Sequence, residues 1–208
     1  MLLKKIKLKD FRQFKGEQTI LFAGDPIKNV TVIMGGNGAG KTALAQSFTW
    51  CLYGETNFKD KNVLCKATLQ EMLPNSEETV KVEIELMYKN IEYTIFREQR
   101  YRKDTSGQSK RPNNTKFTIS YKKGDGQVEF IKELETEMRM KEILPKELSR
   151  YFFFDGERID NMSKEIHKGK RQEFGQAVKS LLGLNAIILA LEQLNGRTSK
   201  SVIRYYNE

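Results

Sequence analysis

Residues 29–54 read Asn-Val-Thr-Val-Ile-Met, then Gly-Gly-Asn-Gly-Ala-Gly-Lys-Thr, then Ala-Leu-Ala-Gln-Ser-Phe-Thr-Trp-Cys-Leu-Tyr-Gly. The first piece, 29–34, is a nearly continuous apolar run of the kind expected for a strand buried on both faces of a sheet. From Lys41 to Tyr53 the chain places Leu44, Phe48, Cys51 and Leu52 at helical spacing, with Gly54 positioned to cap the C-terminus. Between the two, Gly35, Gly36, Asn37, Gly38, Ala39, Gly40, Lys41 and Thr42 satisfy every fixed position of G-x-x-x-x-G-K-[ST]. At average residue frequencies such a match arises in about 1% of chains of this length. Strand, loop and helix must come in that order, because glycines let backbone N–H groups converge on phosphate oxygens at a helix N-terminus whose dipole favours negative charge. Lys41 then reaches the β and γ phosphates, and the Thr42 hydroxyl is placed to ligate Mg2+. Binding of ATP or GTP is the expectation.

Upstream, Lys5, Lys7 and Lys9 alternate with Ile6 and Leu8, the period-2 pattern of a half-buried strand with a basic outer face, and a second extended piece follows at 18–22. Downstream, residues 55–77 read as polar and irregular. Val80, Val82, Ile84, Leu86 and Tyr88 then alternate with polar positions, and Lys89-Asn90 turns the chain into Ile91, Tyr93 and Ile95, an antiparallel hairpin. Residues 97–116 are basic and rich in Ser, Pro and Asn, which suggests an exposed loop; Thr105-Ser106-Gly107-Gln108 inside it is loop rather than a nucleotide-binding signature. Further strands are expected at 117–121 and 128–131, and a helix at 133–144 that Pro145 restarts. The aromatic run 151–154 reads as a buried strand ending at Asp155, where a carboxylate could hold Mg2+. Helices are expected at 170–182 and from Asn185 onward, where Ile187, Ile188, Leu191 and Leu194 form one seam that meets no stop signal.

Composition narrows the classes. The 208 residues carry 36 Lys plus Arg against 27 Asp plus Glu, a net charge of +9. No stretch approaches the ~20 apolar residues of a membrane span. Two cysteines, Cys51 and Cys65, and a single histidine, His167, argue against zinc fingers, disulfide scaffolds and His-dependent triads, and favour a reduced, cytoplasmic setting. Lys5, Lys7 and Lys9, with the basic region 97–123, are candidates for a phosphate-tracking surface on DNA.

These motifs resemble a family. Residues 8–14 (Leu-Lys-Asp-Phe-Arg-Gln-Phe), the loop at 35–42 with its continuation Ala43-Leu44-Ala45-Gln46, and the step Gly183-Leu184-Asn185 resemble the N-terminal half of SMC-like, ATP-binding-cassette type ATPase heads. More narrowly, residues 144–159, with Phe152-Phe153-Phe154-Asp155-Gly156-Glu157-Arg158 at their centre, are similar to the D components of Dnd DNA phosphorothioation systems, ATPases of DNA sulfur modification. The resemblance implies an α/β P-loop lobe with an antiparallel β subdomain over 1–184, and the root of a coiled coil over 185–208. It implies ATP and Mg2+ as cofactors, Arg12 reaching the nucleotide, and Asp155 standing where a Q-loop glutamine usually touches the metal. Its implied partners are a C-terminal half of the same head, a second head forming a homodimer, other DNA sulfur modification subunits, and DNA, in a cytoplasmic, nucleoid-associated setting away from membranes. The chain carries no second apolar strand ending in Asp-Glu and no Leu-Ser-Gly-Gly signature, so by this resemblance hydrolysis needs the partner lobe, and the 208 residues alone bind ATP weakly with negligible turnover. Two other readings remain open: a small P-loop kinase, and a nucleotide-gated scaffold without turnover.

Overall fold

The computed structural model describes residues 1–25, 27–110, 115–124, 126–146, 149, 152, 153, 190, 191 and 194. They fall in two compact units, Met1–Leu144 and Pro145–Glu208. The first unit is built on β1 (Leu2–Phe11), β2 (Phe14–Leu21), α1 (Lys41–Tyr53), α2 (Lys66–Glu71), β3 (Glu77–Tyr88), β4 (Ile91–Lys103), β5 (Ser109–Lys110), β6 (Thr115–Lys122), β7 (Val128–Phe130) and α3 (Glu133–Ile143). The strands form one seven-stranded sheet in the order β2-β1-β3-β4-β6-β7, with β5 on β4, and every pairing is antiparallel.

Alternation sets the register. Val80, Val82, Ile84 and Leu86 point into the core beside Ile6 and Leu8 of β1 and Ile95 of β4, all essentially inaccessible to solvent. Burying each such side chain stabilises the fold by about 1.5–3 kcal/mol. α1 covers this face with Ala43, Leu44, Phe48, Cys51 and Leu52, and the Phe11 and Trp50 rings meet at 5.6 Å between centroids. The β3–β4 hairpin turns at Lys89-Asn90, both at positive φ (49° and 60°), the backbone of a tight two-residue turn that matches strand twist.

Four expectations for the first unit need correction. First, residues 29–34 are not a strand among the described residues: Val30 is 76% and Met34 88% exposed. Such a run gains nothing from burial until strands lie beside it and layers cover both faces, and α1 and the antiparallel sheet have already satisfied each other. Second, 97–116 is not one loop. β4 continues to Lys103 because the alternation Tyr93, Ile95, Arg97, Gln99, Tyr101 continues, with Gln99 and Tyr101 buried, and among the described residues of this range the loop-like part is the turn at 104–108. There Asp104 Oδ1 accepts from the Ser106 and Gln108 N–H groups at 3.0 and 2.9 Å. Third, 55–77 contains α2, held by backbone bonds from Leu69 N to Cys65 O and Met72 N to Thr68 O.

The fourth correction concerns the lysine stripe. Lys5 pairs with Glu85 at 2.6 Å, Lys7 with Glu83 at 2.8 Å and Lys9 with Glu78 at 3.9 Å. Antiparallel register sets Lys5 and Lys7 opposite Glu85 and Glu83, while Lys9 faces Lys81 and reaches along β3 to Glu78, so the basic face is a series of cross-strand ion pairs rather than a bare row of cations. In the second unit, Phe153 N donates to Ser149 O at 2.8 Å, a helical bond, and Phe152 is 48% exposed, so these two residues of the expected aromatic strand are not strand-like. Ala190, Leu191 and Leu194, described within the expected final helix, are helical. Asp155, the helix at 170–182 and the rest of the final helix lie outside the described residues.

Candidate nucleotide site

The glycine loop leads directly into α1. Gly38 (φ 80°) and Gly40 (φ 99°) take left-handed backbone, which lets the loop fold back on itself before the helix begins. Ala39 N meets Gly36 O at 3.3 Å, and Leu44 N donates to Gly40 O at 2.8 Å in the first helical turn. Gly40 caps the helix without a side-chain hydrogen bond, and the first turn carries no acidic residue. The N–H groups of that turn are therefore open to an anion, and the helix dipole favours one. Lys41 curls back over the loop, its Nζ donating to Gly35 O at 2.6 Å and Gly36 O at 2.9 Å. Thr42 is exposed at the helix start. This hydroxyl suits Mg2+, which takes few protein ligands and completes its shell with phosphate oxygens and water.

The hairpin formed by β1 and β2 supplies the wall. A Cβ on Gly40 would lie 3.1 Å from Phe14 Cζ, so the ring closes against the loop and only glycine fits there. Asp10 braces this hairpin from within. Its buried Oδ1 accepts from Gly16 N at 3.0 Å and from the Thr68 hydroxyl at 2.5 Å, while its carbonyl accepts from Cys65 N at 2.8 Å. Asp10 (φ 51°) and Arg12 (φ 54°) both hold left-handed backbone to make the turn.

Arg12 lies on the neighbouring segment. Its Nη1 donates to Asn62 O at 2.7 Å and lies 3.6 Å from Asp60, and its guanidinium stacks 4.2 Å above the Phe58 ring. The structure thus brings Phe14 against the loop, and it holds the Arg12 side chain on residues 58–62. The opposite end of α1 is held from the sheet. Gly54, at φ 74°, donates to Trp50 O at 2.8 Å, and Arg97 Nε of β4 donates to Cys51 O at 2.8 Å. Burial pushes the Arg97 guanidinium below its ordinary pKa, and it pushes the Cys51 thiol, enclosed beside Val82 and Ile95 carbonyls, up to about 12.

Sequence reasoning missed Asp10, Phe14 and Arg97. A cation on the inward-pointing parity of an apolar strand was the available signal for Arg97, hidden because that part of β4 read as loop. Phe14 and Asp10 act through the close turn, which residue types alone do not specify.

The family described as AAA domain matches residues 5–202. No curated protein matches. A solved structure described by the words "Structural biochemistry of ATP-driven dimerization and DNA stimulated activation of SMC ATPases" is similar over 87% of this chain and 99% of that one, at 15% identity and a TM-score of 0.44.

Proposed function

This chain belongs to the AAA domain family, and we propose that it is the ATP-binding lobe of an SMC-like ATPase serving DNA sulfur modification. The observation that carries the reading is the loop itself: Gly38 and Gly40 in left-handed backbone, uncapped N–H groups at the start of α1, and Lys41 arched over residues 35–36. In this role residues 35–42 would cradle the triphosphate, Lys41 would exchange its two carbonyl partners for phosphate oxygens, and Thr42 would hold Mg2+; Asp155 is proposed as a metal ligand from the sequence alone. Mg2+, when bound, would supply charge neutralisation for the polyphosphate.

The domain reading is 1–184 for the lobe and 185–208 for the root of a coiled coil. The solvent-facing run Val30, Val32 and Met34 supports a second lobe, because three apolar side chains immediately before a phosphate loop call for neighbouring strands. Hydrolysis in this reading needs that lobe and a second head. The assignment to sulfur modification, with its partner subunits and DNA, rests on the sequence block 144–159. No helix among the described residues is long and apolar enough to cross a membrane.

Titration of the 208-residue chain with Mg-ATP tests the core of the reading. Saturable binding that Lys41→Ala weakens at least ~30-fold is expected, with steady-state turnover at background. Hydrolysis should rise on co-expression with a C-terminal half and respond to DNA. Absence of binding overturns the proposal, and phosphate transfer to a small acceptor would mark a kinase instead.

A further inference from the structure

Arg97 occupies a position that alternation reserves for an apolar residue. It lies on the core face of β4 between Ile95 and Gln99, opposite Val82 of β3 and Phe117 of β6. Among the described residues its partners are a backbone carbonyl and an aromatic face: Nε donates to Cys51 O at 2.8 Å and Cζ stands 4.3 Å above the Phe117 ring. A Cβ on Gly54 would meet its Nη1 at 3.3 Å, so the guanidinium is seated tightly against the end of α1. Placing a cation here is costly unless its interactions are specific to the place.

The place is the C-terminus of the helix whose N-terminus carries the glycine loop. α1 has no basic residue of its own in the last turn, and of its C-terminal carbonyls Trp50 O is met by Gly54 N and Cys51 O by Arg97. The sheet therefore provides the positive charge that a helix C-terminus favours. α1 has 13 residues, a rod of about 20 Å by its rise per residue. Packed interiors deform little, so a displacement at one end of such a rod reaches the other.

We propose that Arg97 is a positioning residue for the nucleotide loop, fixing α1 along its axis and in rotation through the Cys51 carbonyl and the Phe117 ring so that the loop amides meet the polyphosphate in register. This rests on the ATP-binding reading above. Arg rather than Lys is required because the planar fork donates and stacks at once, which a point charge cannot do.

The test separates loop position from stability. Arg97→Met, Arg97→Lys and Phe117→Leu are made in the full chain, and Kd for Mg-ATP is measured by calorimetry well below each Tm, with Tm recorded without nucleotide. Arg97→Met is expected to weaken Mg-ATP binding at least ~10-fold, with Arg97→Lys and Phe117→Leu each losing about threefold. A lowered Tm with Kd within twofold of wild type in all folded variants makes Arg97 a structural anchor only and overturns the inference. Should Arg97→Met not fold, Arg97→Lys decides on the same criterion. Wild-type chain that fails to bind Mg-ATP, or binds it equally with Lys41→Ala, would sink the ATP reading and this inference with it; wild-type binding lost in Lys41→Ala but retained in the Arg97 variants sinks this inference alone.

Discussion

Two stretches rich in β-branched apolar residues meet opposite fates. Residues 80–86 of β3 alternate Val, Val, Ile and Leu with charged positions, and those four side chains are essentially inaccessible. Residues 30–34, Val-Thr-Val-Ile-Met, are as apolar and more β-branched, yet Val30, Val32 and Met34 stand in solvent. The difference lies in where the partners come from. β3 finds both neighbours nearby in the topology, β4 across a two-residue turn and β1 on its other edge, and one face suffices because α1 covers it. A strand meant for burial on both faces needs two flanking strands and two covering layers at once. Apolar composition states a preference for burial; the fold decides whether it is met.

The largest expected effect breaks or sharpens this contrast directly. Ile84→Asp puts a carboxylate between Ile6 and Ile95, and should cost more than about 4 kcal/mol, enough to unfold the chain. Val32→Asp should leave urea stability within about 0.5 kcal/mol of wild type, and it should abolish pairing with a C-terminal half. Equal losses in the two variants would mean that residues 29–34 are buried after all. Next comes the brace of the site. Asp10→Ala removes the acceptor shared by Gly16 N and the Thr68 hydroxyl, and should cost about 2–3 kcal/mol by chemical denaturation, with Asp10→Asn losing less.

Thiol chemistry reports the same contrast without mutation. Cys51, its pKa near 12, and the buried Cys65 should resist a disulfide reagent at pH 8 in the native chain, and both should react in urea. Fast native labelling would show that α1 lifts from the sheet. The smallest effect is on the ladder. Glu83→Gln should cost under about 1 kcal/mol, less in high salt. Lys7 is raised above its ordinary pKa chiefly by its hydrogen bond to Glu83. Its contribution is therefore present below about pH 10.4 and is lost as pH rises through the higher folded value. Glu83→Gln should flatten that alkaline loss.

Local chemistry was legible in the sequence. α1, its Gly54 cap and the Lys89-Asn90 turn follow from residue types acting on their neighbours, and each stands where spacing put it. The phosphate loop was readable because its glycines answer a backbone demand that no other residue meets. What escaped depends on distant partners. The lysine stripe looked like an anion-binding face because the glutamates that neutralise it lie some seventy-five residues later. The second half of β4 looks like a loop in sequence because its inward face carries Arg97 and Gln99, polar residues whose partners include the Cys51 carbonyl of α1, the Phe117 ring and the Thr115 hydroxyl. For Arg12, which the resemblance directs to the nucleotide, the contacts with Phe58, Asp60 and Asn62 come from a fold of the chain that no motif announces.

The two-residue turn at Lys89-Asn90 also bears on how the molecule assembles. It joins the longest pairing in the described sheet, twelve residue pairs from Tyr88↔Ile91 to Glu77↔Arg102, across a loop of two residues. Closing so short a loop sacrifices little chain entropy before contacts accumulate, whereas β1 must span some seventy residues to reach β3. The β3–β4 hairpin is thus the natural nucleus, and the N-terminal strands add to a template already in register. A substitution at Asn90 that disfavours positive φ would slow refolding more than it hastens unfolding.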